Sequence, residues 1–121
     1  MTEGAWQAAL EAHLNRPGSG IRVWRQQAGV LKVRQNGVVR AIHCAPAGAA
    51  DLTGIAPGGR HLELEAKVRA PWTSSQRAWA RAIERAGGLY VLARFDARRA
   101  LPDNLSQIER AILGGGGRSA A

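Results

Sequence analysis

The stretch LELEAK, residues 62–67, combines carboxylates and a lysine at a spacing that could perform phosphate chemistry. Because alternate side chains of a strand face opposite sides, Glu63, Glu65 and Lys67 share one face and the three apolar side chains share the other. Carboxylate oxygens bind Mg²⁺ or Mn²⁺, and a neighbouring lysine can orient a water molecule and stabilise phosphate charge. The same alternation also describes the solvated outer face of a sheet, so the stretch alone leaves both interpretations open.

A second carboxylate, Asp51, begins a short predicted strand that precedes the strand carrying Glu65. The turn between these strands is short and contains glycine, so the strands can pair and bring Asp51 beside Glu65 at one end of the sheet. The carbonyl of Ala66 adds a third hard oxygen ligand suited to Mg²⁺ or Mn²⁺. Lys67 lies on the same strand face as Glu65. This set of residues has the division of labour that metal-dependent hydrolysis of a phosphodiester requires.

Hydrophobic periodicity and turn residues predict the elements that position these groups. Asn36 and Gly37 form a two-residue hairpin signal, and the segment from Thr73 to Gln76 has capping-box spacing. The order of elements predicts an α/β fold, a mixed sheet flanked by helices, as one domain over residues 1–113, followed by a flexible Gly-rich tail at 114–121. Helices are predicted at 3–14, 74–85 and 104–113, and strands at 21–27, 30–34, 38–42, from 51, at 60–68 and at 89–95.

The net charge of +8, from 17 Lys and Arg against nine Asp and Glu, favours a polyanionic partner, of which nucleic acid is the commonest. Hydrophobic residues make up 45% of the chain, which is ordinary for a globular protein and too high for a disordered one. No apolar run approaches the roughly 20 residues of a membrane span, and a signal-peptide pattern is absent. We therefore expect a cytoplasmic protein that binds no membrane, and the single cysteine, Cys44, suits a reducing compartment.

The segment GAADLTGI, residues 48–55, followed by LELEAK, resembles the PD-(D/E)xK nuclease superfamily, and the longer pattern is similar to its VRR-NUC branch, the virus-type replication–repair nuclease domain. That family shows a helix-borne Glu, an Arg and Gly in an early hairpin, Gly-x-x-Asp, Glu-x-Lys, a Ser/Thr-x-x-Gln helix start and a Gly-Gly. The chain departs from the family in one place, since alanine stands directly before Asp51 where proline is often found. The matching residues, in the same order, are Glu3, Arg25 with Gly29, Gly48 to Asp51, Glu65 to Lys67, Thr73 to Gln76, and Gly87 with Gly88.

The resemblance implies a restriction-endonuclease-like core and specific roles for the matched residues. It makes Asp51 and Glu65 the metal carboxylates and Lys67 the catalytic lysine. Glu3 would be the helix carboxylate that reaches the metal through water, although Glu11 on the same helix competes for that role. The resemblance also places the side chain of Gln76 in the site, where it would contact water or phosphate at a helix N-terminus. A capping-box role for this glutamine is equally open and compatible with the first.

The activity that the resemblance implies is a Mg²⁺- or Mn²⁺-dependent, structure-selective DNA endonuclease, without an organic cofactor, in a bacterial or phage-infected cell. The small stand-alone members of the family resemble phage-borne dimeric nucleases that cut branched DNA such as Holliday junctions, so a homodimer is expected. Two rival interpretations are a DNA-binding module with an inactive nuclease fold and a basic RNA-binding or ribosome-associated protein without a metal site. The residues expected to contact phosphate, each with a solvated surface role as the alternative, are Arg25, Lys32, Arg34, Arg40, Arg69, Arg77 and Arg81.

The remaining polar and aromatic residues carry weaker signals. Glu63 shares the face of Glu65 but lies further from Asp51, so a solvated or salt-bridged role is favoured. The three histidines have neither the spacing nor the cysteine partners of a zinc site. The helical apolar stripes place two of the four tryptophans in core or dimer packing, and the other two stay open between packing and base stacking. The packed pair is Trp6 and Trp79, and the open pair is Trp24 and Trp72.

Overall fold

The computed structural model describes residues 1–115, which form a four-stranded mixed sheet with helices on both faces and a separate two-stranded hairpin. The predicted α/β fold with a mixed sheet flanked by helices is confirmed, and the first two helices begin and end where the sequence predicts. The elements are α1 Glu3–Leu14, β1 Arg22–Arg25, β2 Val30–Gln35, β3 Val38–His43, β4 Leu52–Ala56, β5 Arg60–Lys67, α2 Ser74–Arg85, β6 Leu89–Arg94 and α3 Leu101–Leu113.

Helix caps account for the agreement at α1 and α2. The Thr2 hydroxyl accepts a hydrogen bond from the Ala5 amide, and Thr73 with Gln76 forms a complete capping box. Helix α3 begins at Leu101 rather than at the predicted residue 104, because Pro102 is tolerated in the first turn of a helix, where its missing N–H has no intrahelical partner.

The main sheet has the strand order β1-β4-β5-β6. Strands β4 and β5 pair antiparallel, as a short turn requires, and β5 and β6 pair parallel through the α2 crossover. One sheet face packs on α1 and α3 around a core that includes Trp6, Leu64 and Ile108. The opposite face packs on α2 through a smaller cluster that includes Tyr90 and Ile83. Strand β5 is therefore a central strand, covered on both sides.

The interpretation of residues 62–67 as a solvated strand face is wrong. All six side chains are buried, including Glu63, Glu65 and Lys67, which are 2%, 3% and 6% exposed. The apolar residues of β5 face α1 and α3, and the charged ones face α2. A strand that pairs in parallel through a helical crossover is covered on both faces, and this explains why polar positions are also buried.

The β2–β3 hairpin follows the prediction from Asn36 and Gly37, whose φ angles of 52° and 75° match the two-residue hairpin turn. Its strands pair with each other and not with the main sheet. Lys32 and Arg34 share one face of the hairpin, whereas Arg40 lies on the other, since directly opposed residues share a face.

The predicted tail at 114–121 lies outside the described residues, except for Gly114 and Gly115. These two glycines close α3 through hydrogen bonds from their amides to the carbonyls of Arg110 and Ile112. Within residues 1–115, none of the helices is both long enough and apolar enough to span a membrane.

Candidate active site

The pairing of β4 with β5 brings Asp51 and Glu65 together at one end of the sheet, as predicted. In the antiparallel register, Leu52 lies opposite Leu64. Asp51, one residue before Leu52, therefore lies beside Glu65, one residue after Leu64. The Asp51 amide donates to Glu65 Oε2 at 3.1 Å, and the Ala66 amide donates to Asp51 Oδ2, also at 3.1 Å. The two carboxylates are thus held by the main chain of each other's strand.

The electrostatic setting of Glu65 is unfavourable for a lone anion. Burial, followed by the charge of Asp51 and a hydrogen bond between the two side chains, raises the pKa of Glu65 to about 8, although the Lys67 ammonium offsets part of this effect. Without a cation, the carboxyl of Glu65 therefore holds a proton at neutral pH. A bound divalent ion would neutralise both carboxylates and remove this penalty.

Two more predicted residues reach Glu65. The Lys67 ammonium lies 3.8 Å from Glu65 Oε1, and the Gln76 amide donates to the same oxygen at 2.9 Å. The carbonyl of the Gln76 side chain accepts from the Thr73 amide, so one side chain caps α2 and contacts the site at once. The capping role and the site role therefore coexist.

The main chain of Ala66 adds a further oxygen at this point. Its N–H points to Asp51, and the N–H and C=O of one residue in a strand face the same neighbour, so the Ala66 carbonyl lies on the Asp51 side as well. Two carboxylates and a carbonyl fit Mg²⁺, which usually binds through one or two carboxylates and keeps several waters. Among residues 1–115, no group of three or more His, Cys, Asp and Glu side chains is arranged as a metal site.

The structure does not bring every predicted residue to this point. Glu3 lies in the first turn of α1, and no hydrogen bond or ion pair among residues 1–115 joins it to Asp51 or Glu65. Glu11, the competing carboxylate, forms an ion pair of 3.1 Å with Arg25. Arg25 belongs to β1 of the main sheet and not to the hairpin, contrary to the prediction.

Of the solvated or salt-bridged role predicted for Glu63, the solvated part is wrong, because this carboxylate is buried, whereas the His61 imidazole lies 2.8 Å from Glu63 Oε2 and forms an ion pair with it when protonated. Its two oxygens meet five groups. The missed signal was the strand–helix–strand order, which predicts a central parallel strand covered on both faces. A buried carboxylate on such a strand needs partners. The five groups, with their distances, are Gln26 Nε2 at 2.9 Å, the Ala50 amide at 3.3 Å, Thr53 Oγ1 at 2.9 Å, His61 Nε2 at 2.8 Å and Trp79 Nε1 at 2.9 Å.

Three of the predicted phosphate-binding residues lie on the segments that carry Lys67 and Gln76. Arg77 and Arg81 are exposed on α2, and Arg69 is exposed just after β5. The Arg77 guanidinium lies 5.4 Å from the ring centroid of Trp72, and the indole of Trp72 donates to the Tyr90 hydroxyl at 3.2 Å. Trp72 therefore packs against Tyr90 of β6, while the cations remain at the surface. Trp24, on the edge strand β1, is 49% exposed.

The loop before Asp51 touches α2 at Gly48. A Cβ built on Gly48 would lie 2.4 Å from the Ser75 carbonyl oxygen, and the φ of this glycine is +87°. We expect Gly48→Ala to destabilise the protein by about 2–4 kcal/mol, from the strain of the left-handed backbone and the clash together. Gly58→Ala is the matched control, because Gly58 has a φ of +86° and open space around it. Thermal unfolding of both variants tests this, and equal melting temperatures would contradict it.

Comparison of the chain with protein-family models, with curated proteins and with solved structures gives no match.

Proposed function

We propose that this protein is a divalent-metal-dependent, structure-selective DNA endonuclease with a restriction-endonuclease-like PD-(D/E)xK core of the VRR-NUC type. One observation carries the proposal. Asp51, Glu65, Lys67 and Gln76 meet at one end of the sheet, and two of them, Glu65 and Lys67, are buried ionisable groups on the same face of the central strand β5. Buried charge of this kind costs stability, so its presence supports a functional role.

Each residue of the site has a task in phosphodiester hydrolysis. Asp51, Glu65 and the Ala66 carbonyl would hold Mg²⁺ or Mn²⁺, and the ion would polarise the phosphate and lower the pKa of an attacking water molecule. Lys67 would orient that water and stabilise the charge that develops on the phosphate. Gln76 fixes one oxygen of Glu65, so that the other oxygen stays directed towards Asp51. The water-mediated role of Glu3 stays a prediction.

The distribution of charge supports a nucleic-acid substrate. Between Glu11 and Asp51 the chain has no acidic residue, and this segment includes the exposed hairpin with Lys32 and Arg34 on one face. Together with the exposed arginines of α2, these cations could contact the phosphates on either side of a scissile bond, which would set affinity without reading the base sequence.

We also propose a preference for branched DNA, Holliday junctions in particular, because the motifs resemble those of the stand-alone VRR-NUC nucleases. We propose a homodimer for the same reason. Two active sites related by a two-fold axis would suit a substrate with two symmetric scissile strands.

The test is a cleavage assay with Mg²⁺ or Mn²⁺ on four-way, flap and linear duplex DNA. We expect metal-dependent cleavage that prefers branched substrates, and a loss of at least about 100-fold in Asp51→Asn, because the amide cannot replace the charge of a metal carboxylate. Cleavage that persists in Asp51→Asn would overturn the assignment. Salt-sensitive binding of DNA or RNA without any cleavage would favour a basic nucleic-acid-binding protein instead.

A further inference from the structure

We propose that Glu63 is a positioning residue that holds Asp51 and Gln76 at their correct distance from Glu65 without contacting the metal or the substrate. This inference rests on the proposed function, because the groups that Glu63 positions are those of the nuclease site. Its carboxylate joins the loop before β4, strand β4 itself and helix α2 at a single buried point.

The first link leads to Asp51. Glu63 Oε1 accepts hydrogen bonds from the Ala50 amide and from the Gln26 side chain. Ala50 directly precedes Asp51, and the main-chain amide of Gln26 donates to the Asp51 carbonyl at 3.0 Å. The main chain of Asp51 is therefore held on both sides by groups that Glu63 holds in turn.

The second link leads to Gln76. The same oxygen, Glu63 Oε1, accepts from the indole of Trp79, which lies one turn after Gln76 on α2. Residues three apart on a helix lie on the same side of it, so this bond fixes the distance between α2 and β5 where Gln76 reaches Glu65.

The chemistry of the partners explains why an acceptor is needed at Oε1. An indole N–H and a main-chain N–H can only donate, so the oxygen between them must accept. With three donors on Oε1 and two groups on Oε2, the Glu63 carboxylate has no lone pair directed to a metal ion. Because both oxygens are occupied by protein groups, Glu63 acts as a structural link rather than as a ligand.

The experiment compares two substitutions of the same type. Trp79→Phe removes the bond to Glu63, whereas Trp72→Phe removes an indole bond to Tyr90 in the same cluster and is the control. For Trp79→Phe we expect Mn²⁺ affinity, measured by calorimetry, to fall about tenfold, and kcat to fall with an unchanged KM for DNA. For Trp72→Phe we expect wild-type values of Mn²⁺ affinity and kcat.

A second measurement needs no metal. In the metal-free protein, we expect the amides of Asp51 and Ala66 to exchange with deuterium about tenfold faster in Trp79→Phe than in the wild type, because the link to α2 is lost. Unchanged exchange and Mn²⁺ affinity in a folded Trp79→Phe variant would overturn the positioning role. If the wild-type protein binds no Mn²⁺, the proposed function fails, and the exchange rates still decide whether Glu63 holds Asp51 in place.

Discussion

Lys67→Met is expected to abolish cleavage while the protein stays folded and still binds Mn²⁺. Lys67 is buried on the strand next to Glu65, with its ammonium 3.8 Å from a carboxylate oxygen. Methionine has a similar length and no charge, so it fills the same space and removes the cost of a buried cation. The charge that stabilises the phosphate during hydrolysis is lost, and we expect kcat to fall by about 10²–10⁴-fold.

The control is Lys32→Met, which removes the other lysine of the chain from an exposed position on the hairpin. We expect this variant to retain kcat and to bind DNA less tightly, with a weaker dependence on salt. Calorimetric titration with Mn²⁺ and single-turnover cleavage of a four-way junction separate the two effects. If Lys67→Met cleaves as fast as the wild type, the catalytic role of Lys67 is wrong.

Glu65→Gln is expected to stabilise the metal-free protein more as the pH rises. The folded-state pKa of Glu65, about 8, lies above the ordinary value of 4.5. A carboxyl with a raised pKa is most stable in the fold when protonated, so the wild type loses stability as the pH rises from about 4.5 to about 8. Glutamine resembles the protonated carboxyl and does not titrate anywhere in this pH range. The difference in free energy of unfolding between the variant and the wild type should therefore increase, in favour of the variant, by on the order of 1–2 kcal/mol from pH 5 to pH 8. This value allows for solvent screening, because Asp51 is partly exposed.

Removing the acceptor at Glu63, two residues earlier on the same face of β5, should have the opposite sign. Glu63→Met is expected to destabilise the protein by about 2–4 kcal/mol at both pH values, because buried donors such as Trp79 Nε1 and the Ala50 amide lose their acceptor. Urea unfolding in EDTA at pH 5 and pH 8 measures both variants. Equal effects of the two substitutions would contradict the distinction between a titrating site residue and a hydrogen-bonded structural carboxylate.

Short-range signals were sufficient for most of the fold. Hydroxyl caps at Thr2 and Thr73 define the starts of two helices within a single turn of chain, and the turn at Asn36 and Gly37 defines the hairpin. The proximity of Asp51 and Glu65 was also predictable, since a short turn forces neighbouring strands to pair. These features depend on a few adjacent residues, so one sequence contains what is needed to predict them.

The sequence by itself determined which residues could bind a cation and on which strands they lie. Only the tertiary structure decided that Glu63 is enclosed by five groups and that Arg25 pairs with Glu11 instead of joining the hairpin. The reason is physical. Burial and pairing depend on which helix covers a sheet face, and the groups that meet at Glu63 come from segments as far apart as Gln26 and Trp79. The alternation of apolar and polar residues within one strand contains no information about burial by a helix or about partners from distant segments.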